Sequence, residues 1–405
     1  MKPKQQRKAG RFISWLLVLL LLASYATWAV VRPLPMLQPS QQLQKTQSTA
    51  EAQLSWPPNA QAAVGIAGSS EIVTQGAQTP TPMASTAKII TALTVLDKKP
   101  ITAGQQGPTI TLTDADVARY NAYVAQDGSV TPVQAGEKLT EYQMLQAIML
   151  PSANNIADSL AIWAFGSLEA YSQAANAYLQ THNLTQTKVG AVDASGLSPT
   201  TTSTAKDLVM LGKLAMDDPV LAEIVNQKTA VLPVANTVKN VNFLLGTSNI
   251  VGVKTGNTDE AGGVFVGAAR TTVDGKPVTY ITAVAGAPDL FASMKYSLNL
   301  IDSAQLNTQN VAATSDNQTV GSYVVPWGGS IKAIADDPTA VTAWRKSAVA
   351  TTTTLRPITP EAKAKTAVGR LTTANQALGT KSETAVVLSQ SVPKPSLVWR
   401  LTHPF

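Results

Sequence analysis

The chain has 405 residues, enough for two or three domains and a sizeable core. It contains no cysteine and only two histidines, His182 and His403. Disulfides, thiolate chemistry and cysteine-rich metal sites are therefore out, and a Ser-His-Asp triad or a His-rich zinc site is nearly excluded. The net charge of +6 is local. Lys2, Lys4, Arg7, Lys8, Arg11 and Arg32 all precede the first acid, Glu51, and the other 25 Lys and Arg equal the 25 Asp and Glu. A neutral body gives no reason to expect nucleic acid as a partner.

Phe12 to Val31 is one uncharged apolar run, long enough to span a bilayer as a helix. Positive residues crowd its N-terminal side and only Arg32 follows closely, which keeps the N-terminus inside and exports the rest. Two readings stand. The run is an uncleaved anchor, which its length favours, or a cleaved signal peptide with small-residue sites at Ser24-Tyr25-Ala26 or Thr27-Trp28-Ala29. Residues 1–33 are read as a cytoplasmic tail and transmembrane anchor. The Gln-, Ser-, Thr- and Pro-rich stretch 34–57 is read as a linker.

From Ala62 the pattern changes. Ala62–Ala67 and Glu71–Thr74 predict a β-hairpin around Gly68-Ser69-Ser70. Ser85 then opens a helix that is apolar all round and hence centrally buried. A strand near Thr109–Leu112 and a short helix at Asp114–Tyr120 follow. Thr140-Glu141-Tyr142-Gln143 is a capping box for a helix that Pro151 stops. Helices are expected from Ser152 to Phe165, from Ser167 to Thr181 and from Ser203 to Ala215. Val251–Thr255 reads as a strand entering a Gly-Asn turn at Gly256-Asn257. Gly262–Arg270 and Val278–Ala285 read as antiparallel strands around Asp274-Gly275, and Asp289–Ser303 as a final helix. The expected fold is α+β, one antiparallel sheet covered by helices over residues 58–303. Residues 304–405 read as a β-rich domain, with strands at Gly321–Val325, Ser330–Ile334, Ala350–Leu355 and Thr384–Leu388.

Three short elements carry candidate chemistry. In Ser85-x-x-Lys88 the residues share a helix face, so the amine reaches the hydroxyl. A partly desolvated lysine can serve as the base a serine nucleophile needs. Taken alone, the same four residues are usually a helix N-cap beside a surface lysine, a reading that only the rest of the chain can overturn. The other elements are Ser152-Ala153-Asn154, at a proline break between helices, and Lys254-Thr255-Gly256, at the end of an apolar strand. Ser-x-x-Lys recurs at Ser203–Lys206 and Ser391–Lys394. No Ser-x-Asn lies between Lys206 and Lys254, and Pro393 breaks the helix needed at the last site. Only the set beginning at Ser85 has all three elements in order; Ser203–Lys206 is read as a helix cap with Lys206 exposed.

In that order the elements resemble a serine-type D-alanyl-D-alanine carboxypeptidase of the low-molecular-mass penicillin-binding proteins, which share this motif set with class A β-lactamases. Further similar wording is Met149-Leu150-Pro151-Ser152-Ala153-Asn154, Asp193-Ala194-Ser195-Gly196-Leu197 and Gly252-Val253-Lys254-Thr255-Gly256-Asn257-Thr258. The resemblance covers about residues 58–303 and implies a β-lactamase/transpeptidase-like fold. It implies that Ser85 is the nucleophile, Lys88 the base and Ser152 a proton relay bridging Lys88 and Lys254. Asn154 would hold a substrate amide or the Lys88 amine. Lys254 and Thr255 would bind the terminal carboxylate, and Gly256 would let substrate lie on the strand edge. The backbone N–H groups of Ser85 and Asn257 would form the oxyanion hole. Neither metal nor cofactor is implied; the partners would be a peptidoglycan stem peptide, β-lactams and the cytoplasmic membrane.

Two departures stand out. Asn155 follows the Ser-x-Asn motif where relatives often have aspartate, and Gly286–Tyr296 has only Lys295 where they often carry a carboxylate-binding arginine. β-Lactamase action, D,D-endopeptidase action and a non-catalytic wall-binding role remain as alternatives. For the first of these, none of Glu169, Asp193 or Glu223 can be assigned to activating a deacylating water.

Overall fold

The apolar N-terminal run forms α1 (Pro3–Val31) in the computed structural model, which describes residues 3–49, 53–273, 275–344, 347–376 and 378–403. Arg11–Val31 has a mean hydropathy of 2.0 and is long and apolar enough to cross a membrane; most of its large side chains are exposed. Two short strands follow, β1 (Pro39–Gln42) and β2 (Gln44–Ser48).

The central part starts with the hairpin β3 (Gln61–Ile66) and β4 (Ile72–Gln75), then β5 (Thr81–Pro82). A 3-10 turn over Ala84–Ala87 leads into α2 (Lys88–Lys98). Every residue from Lys88 to Leu96 is buried, as the all-round apolar pattern demands, and this includes the charged Lys88. Next come β6 (Thr109–Thr111), α3 (Asp114–Val124), β7 (Lys138–Thr140), α4 (Glu141–Met149), α5 (Asn154–Phe165) and α6 (Leu168–Thr181). After β8 (Thr202–Ser203) the chain forms α7 (Ala205–Asp217), α8 (Pro219–Val225) and the hairpin β9 (Thr229–Leu232) and β10 (Asn236–Lys239). Local chemistry sets the helix starts. Thr140 and Gln143 form the expected capping box, Ser167 and Thr204 cap the helices after them, and Asp218 caps α8 with Pro219 behind it.

Three long strands, β11 (Ile250–Thr258), β12 (Gly262–Val273) and β13 (Lys276–Ala287), complete an antiparallel sheet of order β11-β12-β13-β3-β4. Asp274, in the expected turn before β13, lies outside the described residues. Alternation along β3 splits the sheet into two faces. Ala63 joins the main core with α2, α4, α5 and α7, whereas Ala62, Val64 and Ile66 pack with Tyr280, with Leu300 and Ala304 of α9 (Leu290–Leu306), and with Trp344. The expected turn at Gly256-Asn257 is not there. β11 runs through it to Thr258, because Gly256 and Asn257 pair in register with Val264 and Gly263.

The C-terminal strands are β14 (Thr308–Thr314), β15 (Thr319–Val324), β16 (Ser330–Ala335), β17 (Thr339–Trp344), β18 (Ala348–Leu355), β19 (Ala367–Asn375) and β20 (Thr380–Leu388), followed by α10 (Leu397–Thr402). Because α9 runs to Leu306, the boundary expected at residue 304 falls inside a helix. The linker expected over 34–57 also needs correction. β1 and β2 are the two outer strands of a seven-stranded sheet of order β1-β15-β16-β20-β19-β18-β2. Leu37 is buried in that module's core with Tyr323, Leu371 and Val386. The strands escaped notice because edge residues such as Gln41, Gln42, Gln44 and Lys45 face solvent and show no apolar alternation.

Candidate active site

Ser85 sits on the 3-10 turn, not at a helix N-cap, and its neighbours hold it there. Ala84 has φ +46, a left-handed conformation costly for a residue with a Cβ. Two glycines let other segments close on this turn. A Cβ on Gly196, itself at φ +80, would stand 2.0 Å from the Ala84 carbonyl oxygen. A Cβ on Gly256 would stand 3.1 Å from the Ser85 nitrogen. Gly256 thus serves first to bring β11 against the Ser85 turn, which the expectation of a bare strand edge for substrate did not foresee.

Lys88 begins α2 and is fully buried. Its Nζ donates to Ser85 Oγ at 2.8 Å, Asn154 Oδ1 at 2.7 Å and the Ser195 carbonyl at 2.8 Å. Burial pushes its pKa down to about 7 against the opposing pull of Asp193 and Asp158. An amine poised near neutrality, in contact with a half-buried serine hydroxyl, is the arrangement general-base activation needs.

The break before α5 places the second element. Ser152 has φ +66, and its hydroxyl is buried without a hydrogen-bond partner among the described residues. The expected bridge from Ser152 to Lys88 and Lys254 is therefore not formed: Lys254 Nζ donates to its neighbour's carbonyl, Thr255 O, at 3.1 Å. Asn154 is held by its backbone N–H to Ser129 O at 2.8 Å while its side chain takes Lys88. The departure at Asn155 has a physical reason. Its amide accepts from Thr131 N and donates to Thr131 O, a pairing that an ionised aspartate cannot complete.

Lys254, Thr255 and Gly256 lie on β11, buried, and Asn257 is exposed. β11 is an edge strand, so one side of its backbone is open to an extended peptide. Burial holds the Lys254 pKa well below the ordinary lysine value, and Lys88 pushes in the same direction. An anion entering beside Lys254 therefore also restores its charge. The second Ser-Thr-Ala-Lys is a cap, as expected, but the capping oxygen belongs to Thr204, which accepts from Asp207 N, while Lys206 is exposed. Lys295 on α9 is also exposed.

Sequence reasoning assigned no role to the Asp193–Leu197 loop. Asp193 Oδ1 accepts from Ser195 N and Gly196 N, and Thr91 on α2 donates to Ala194 O, so the loop is pinned to place Ser195 O on Lys88. Asp158 was also missed, although its position one helical turn after Asn154 was a signal.

Residues 47–288 match the profile of the D-alanyl-D-alanine carboxypeptidase family, Peptidase S11. The chain belongs to that family. The chain is 31% identical over 207 residues to a D-alanyl-D-alanine endopeptidase of Pseudomonas aeruginosa, covering 49% of this chain and 62% of that protein. It is 33% identical over 195 residues to D-alanyl-D-alanine carboxypeptidase DacB2 of Mycobacterium tuberculosis, covering 46% and 62%. The chain therefore spans less than two thirds of either relative. Among solved structures, the Streptomyces K15 DD-transpeptidase superposes with a TM-score of 0.54 at 25% identity, covering 63% of this chain and 98% of that one. PBP3 of Streptococcus pneumoniae shares the fold with a TM-score of 0.60 at 19% identity, covering 84% and 100%.

Proposed function

We propose that this family member is a membrane-anchored D,D-carboxypeptidase that removes the terminal D-alanine from peptidoglycan stem peptides. The observation that carries the reading is the contact of Ser85 Oγ with the fully buried Lys88 amine at 2.8 Å. Neutral Lys88 takes the Ser85 proton as Oγ attacks the penultimate D-alanine carbonyl. The oxyanion that forms faces the Ser85 and Asn257 N–H groups. The unpartnered Ser152 hydroxyl passes a proton to the leaving amine, free D-alanine departs, and water then hydrolyses the Ser85 ester. Lys254 and Thr255 receive the substrate's terminal carboxylate in place of the arginine that relatives often carry. A β-lactam acylates Ser85 by the same attack. The test is D-alanine release from a pentapeptide ending in D-Ala-D-Ala, with mass spectrometry of the penicillin-treated protein. An adduct on any peptide other than the one holding Ser85 removes the assignment. The endopeptidase named among the relatives favours a second reading, which cleavage of a cross-linked muropeptide dimer by the same preparation would support.

Gly196 offers a geometric check. Gly196→Ala sets a methyl against the Ala84 carbonyl at a backbone angle that alanine resists. Shifting the serine turn by even about 1 Å is expected to slow acylation about 10²-fold. Stopped-flow measurement of penicillin acylation reads this directly, and an unchanged rate contradicts the clamp.

The anchor reading rests on how the chain's far end meets α1. Arg400 on α10 donates to Val30 O at 2.8 Å, Arg32 O at 3.1 Å and Ala29 O at 3.3 Å, capping carbonyls at the helix C-terminus. Tyr25 donates to Leu401 O at 2.6 Å, and Ala29 is fully buried. Cleavage after Ala26 would discard the Tyr25 contact, and cleavage after Ala29 would discard the Ala29 contact as well, leaving Val30 and Arg32 without the helix they terminate. The protein isolated from membranes is expected to keep α1 in its intact mass; an N-terminus at Thr27 or Val30 contradicts retention.

A further inference from the structure

The mechanism above leaves one buried carboxylate near the site unused. Asp158 lies on α5, one turn beyond Asn154, and is 6% exposed. Its Oδ2 accepts a 2.8 Å hydrogen bond from Tyr123 on α3, while Oδ1 is buried without a partner among the described residues. The Ser195 side chain acts on the Tyr123 hydroxyl, opposing the rise in its pKa, and the Ser195 carbonyl holds Lys88. The loop between Tyr123 and Asn154 is tightly closed. A Cβ on Gly128 would stand 3.0 Å from Asn154 Nδ2 and 3.3 Å from the Tyr123 ring. The pair therefore flanks two of the three groups that bind the Lys88 amine.

We propose that the Tyr123–Asp158 pair is a positioning element that keeps a buried negative charge within electrostatic reach of Lys88 and so sets the pH at which the base becomes available. The inference rests on the reading of Lys88 as the base. The other charged or titratable groups acting on Lys88 are Asp193 from its loop and Lys254 from β11. On Asp158 they are Tyr123, Asp193, Lys88 and Arg119, the last tied to Asp116 on its own helix. Burial raises the Asp158 carboxyl to about 6; the Tyr123 hydrogen bond opposes this, Asp193 adds to the rise, and Lys88 and Arg119 oppose it. Tyr123 itself stays protonated, because burial and Asp158 raise its pKa. While Asp158 is ionised it favours ammonium over amine at Lys88. Neutralising it favours the amine.

The experiment is the pH profile of Ser85 acylation by a fluorescent penicillin, run on the full chain for wild type, Asp158→Asn, Asp158→Glu and Tyr123→Phe. The acid limb of the profile reports Lys88. Asp158→Asn removes the negative charge and is expected to move that limb to lower pH by on the order of one unit. Acylation at a pH below the limb then rises about tenfold over wild type. Tyr123→Phe removes the donor that stabilises ionised Asp158 and moves the limb in the same direction by less. Asp158→Glu keeps the charge and returns the limb toward the wild-type position. A merely structural pair lowers rates at every pH and leaves the limb in place. That result in both Asp158→Asn and Tyr123→Phe, with normal wild-type labelling, overturns the inference alone. Absence of any adduct in the wild type overturns the reading of Ser85 and this inference with it.

Discussion

Ser85→Ala is expected to reduce D-alanine release about 10⁴-fold or more and to abolish the covalent penicillin adduct. Among the described residues the hydroxyl is the only atom that combines three conditions: contact with the Lys88 amine, partial exposure, and a place on the turn clamped by Gly196 and Gly256. Its loss costs the fold little. Lys88 retains Asn154 Oδ1 and Ser195 O, and one lost hydrogen bond is worth about 1 kcal/mol. Activity and stability should therefore separate: a thermal melt close to wild type beside a dead enzyme. Residual labelling at the wild-type rate would place the nucleophile elsewhere.

Lys88→Met is expected to slow acylation about 10³-fold through loss of the base, and its effect on stability should depend on pH in a defined direction. The folded-state pKa of Lys88 is about 7 against an ordinary value of 10.5. Between these values the unfolded chain binds a proton that folded Lys88 does not. Wild-type stability therefore rises with pH across that window, by at most about 1.4 kcal/mol per pH unit. Below pH 7 the burial penalty is fully present. Methionine carries none of it, so wild type should gain on the variant as pH rises from 7 toward 10.5. Asn154 Oδ1 and Ser195 O lose a donor at every pH, which offsets the comparison without tilting it. Denaturant titrations at pH 6, 8 and 10 measure the tilt. A gap independent of pH would mean that Lys88 is not depressed.

Local signals were legible wherever short-range chemistry decides. The capping box at Thr140 and Gln143, the helix stop at Pro151 and the apolar run of α1 each depend on neighbours in sequence. The three-residue spacing that puts Lys88 against Ser85 does so as well, even though the first turn is 3-10. Order along the chain separated Ser85–Lys88 from Ser203–Lys206, and Lys206 is indeed exposed.

What sequence could not reach is whatever depends on partners far along the chain. The strands at Pro39–Gln42 and Gln44–Ser48 pair with residues about three hundred positions away. Most of their side chains face solvent, so no period marks them. Gly256 looked like a turn residue because its purpose, contact with the Ser85 turn, comes from another element. The identity and order of Ser85, Lys88, Ser152, Asn154 and Lys254 were determined by the sequence itself, because spacing and residue type are local properties. The protonation of Lys88 was decided only by the tertiary structure. Helix α5 and the Asp193–Leu197 loop supply Asn154 and Ser195 O, removing water from the amine, and Asp158 and Asp193 supply the charges that oppose its neutrality. Desolvation is a property of everything that surrounds an atom, and Ser85-x-x-Lys88 carries no trace of those surroundings.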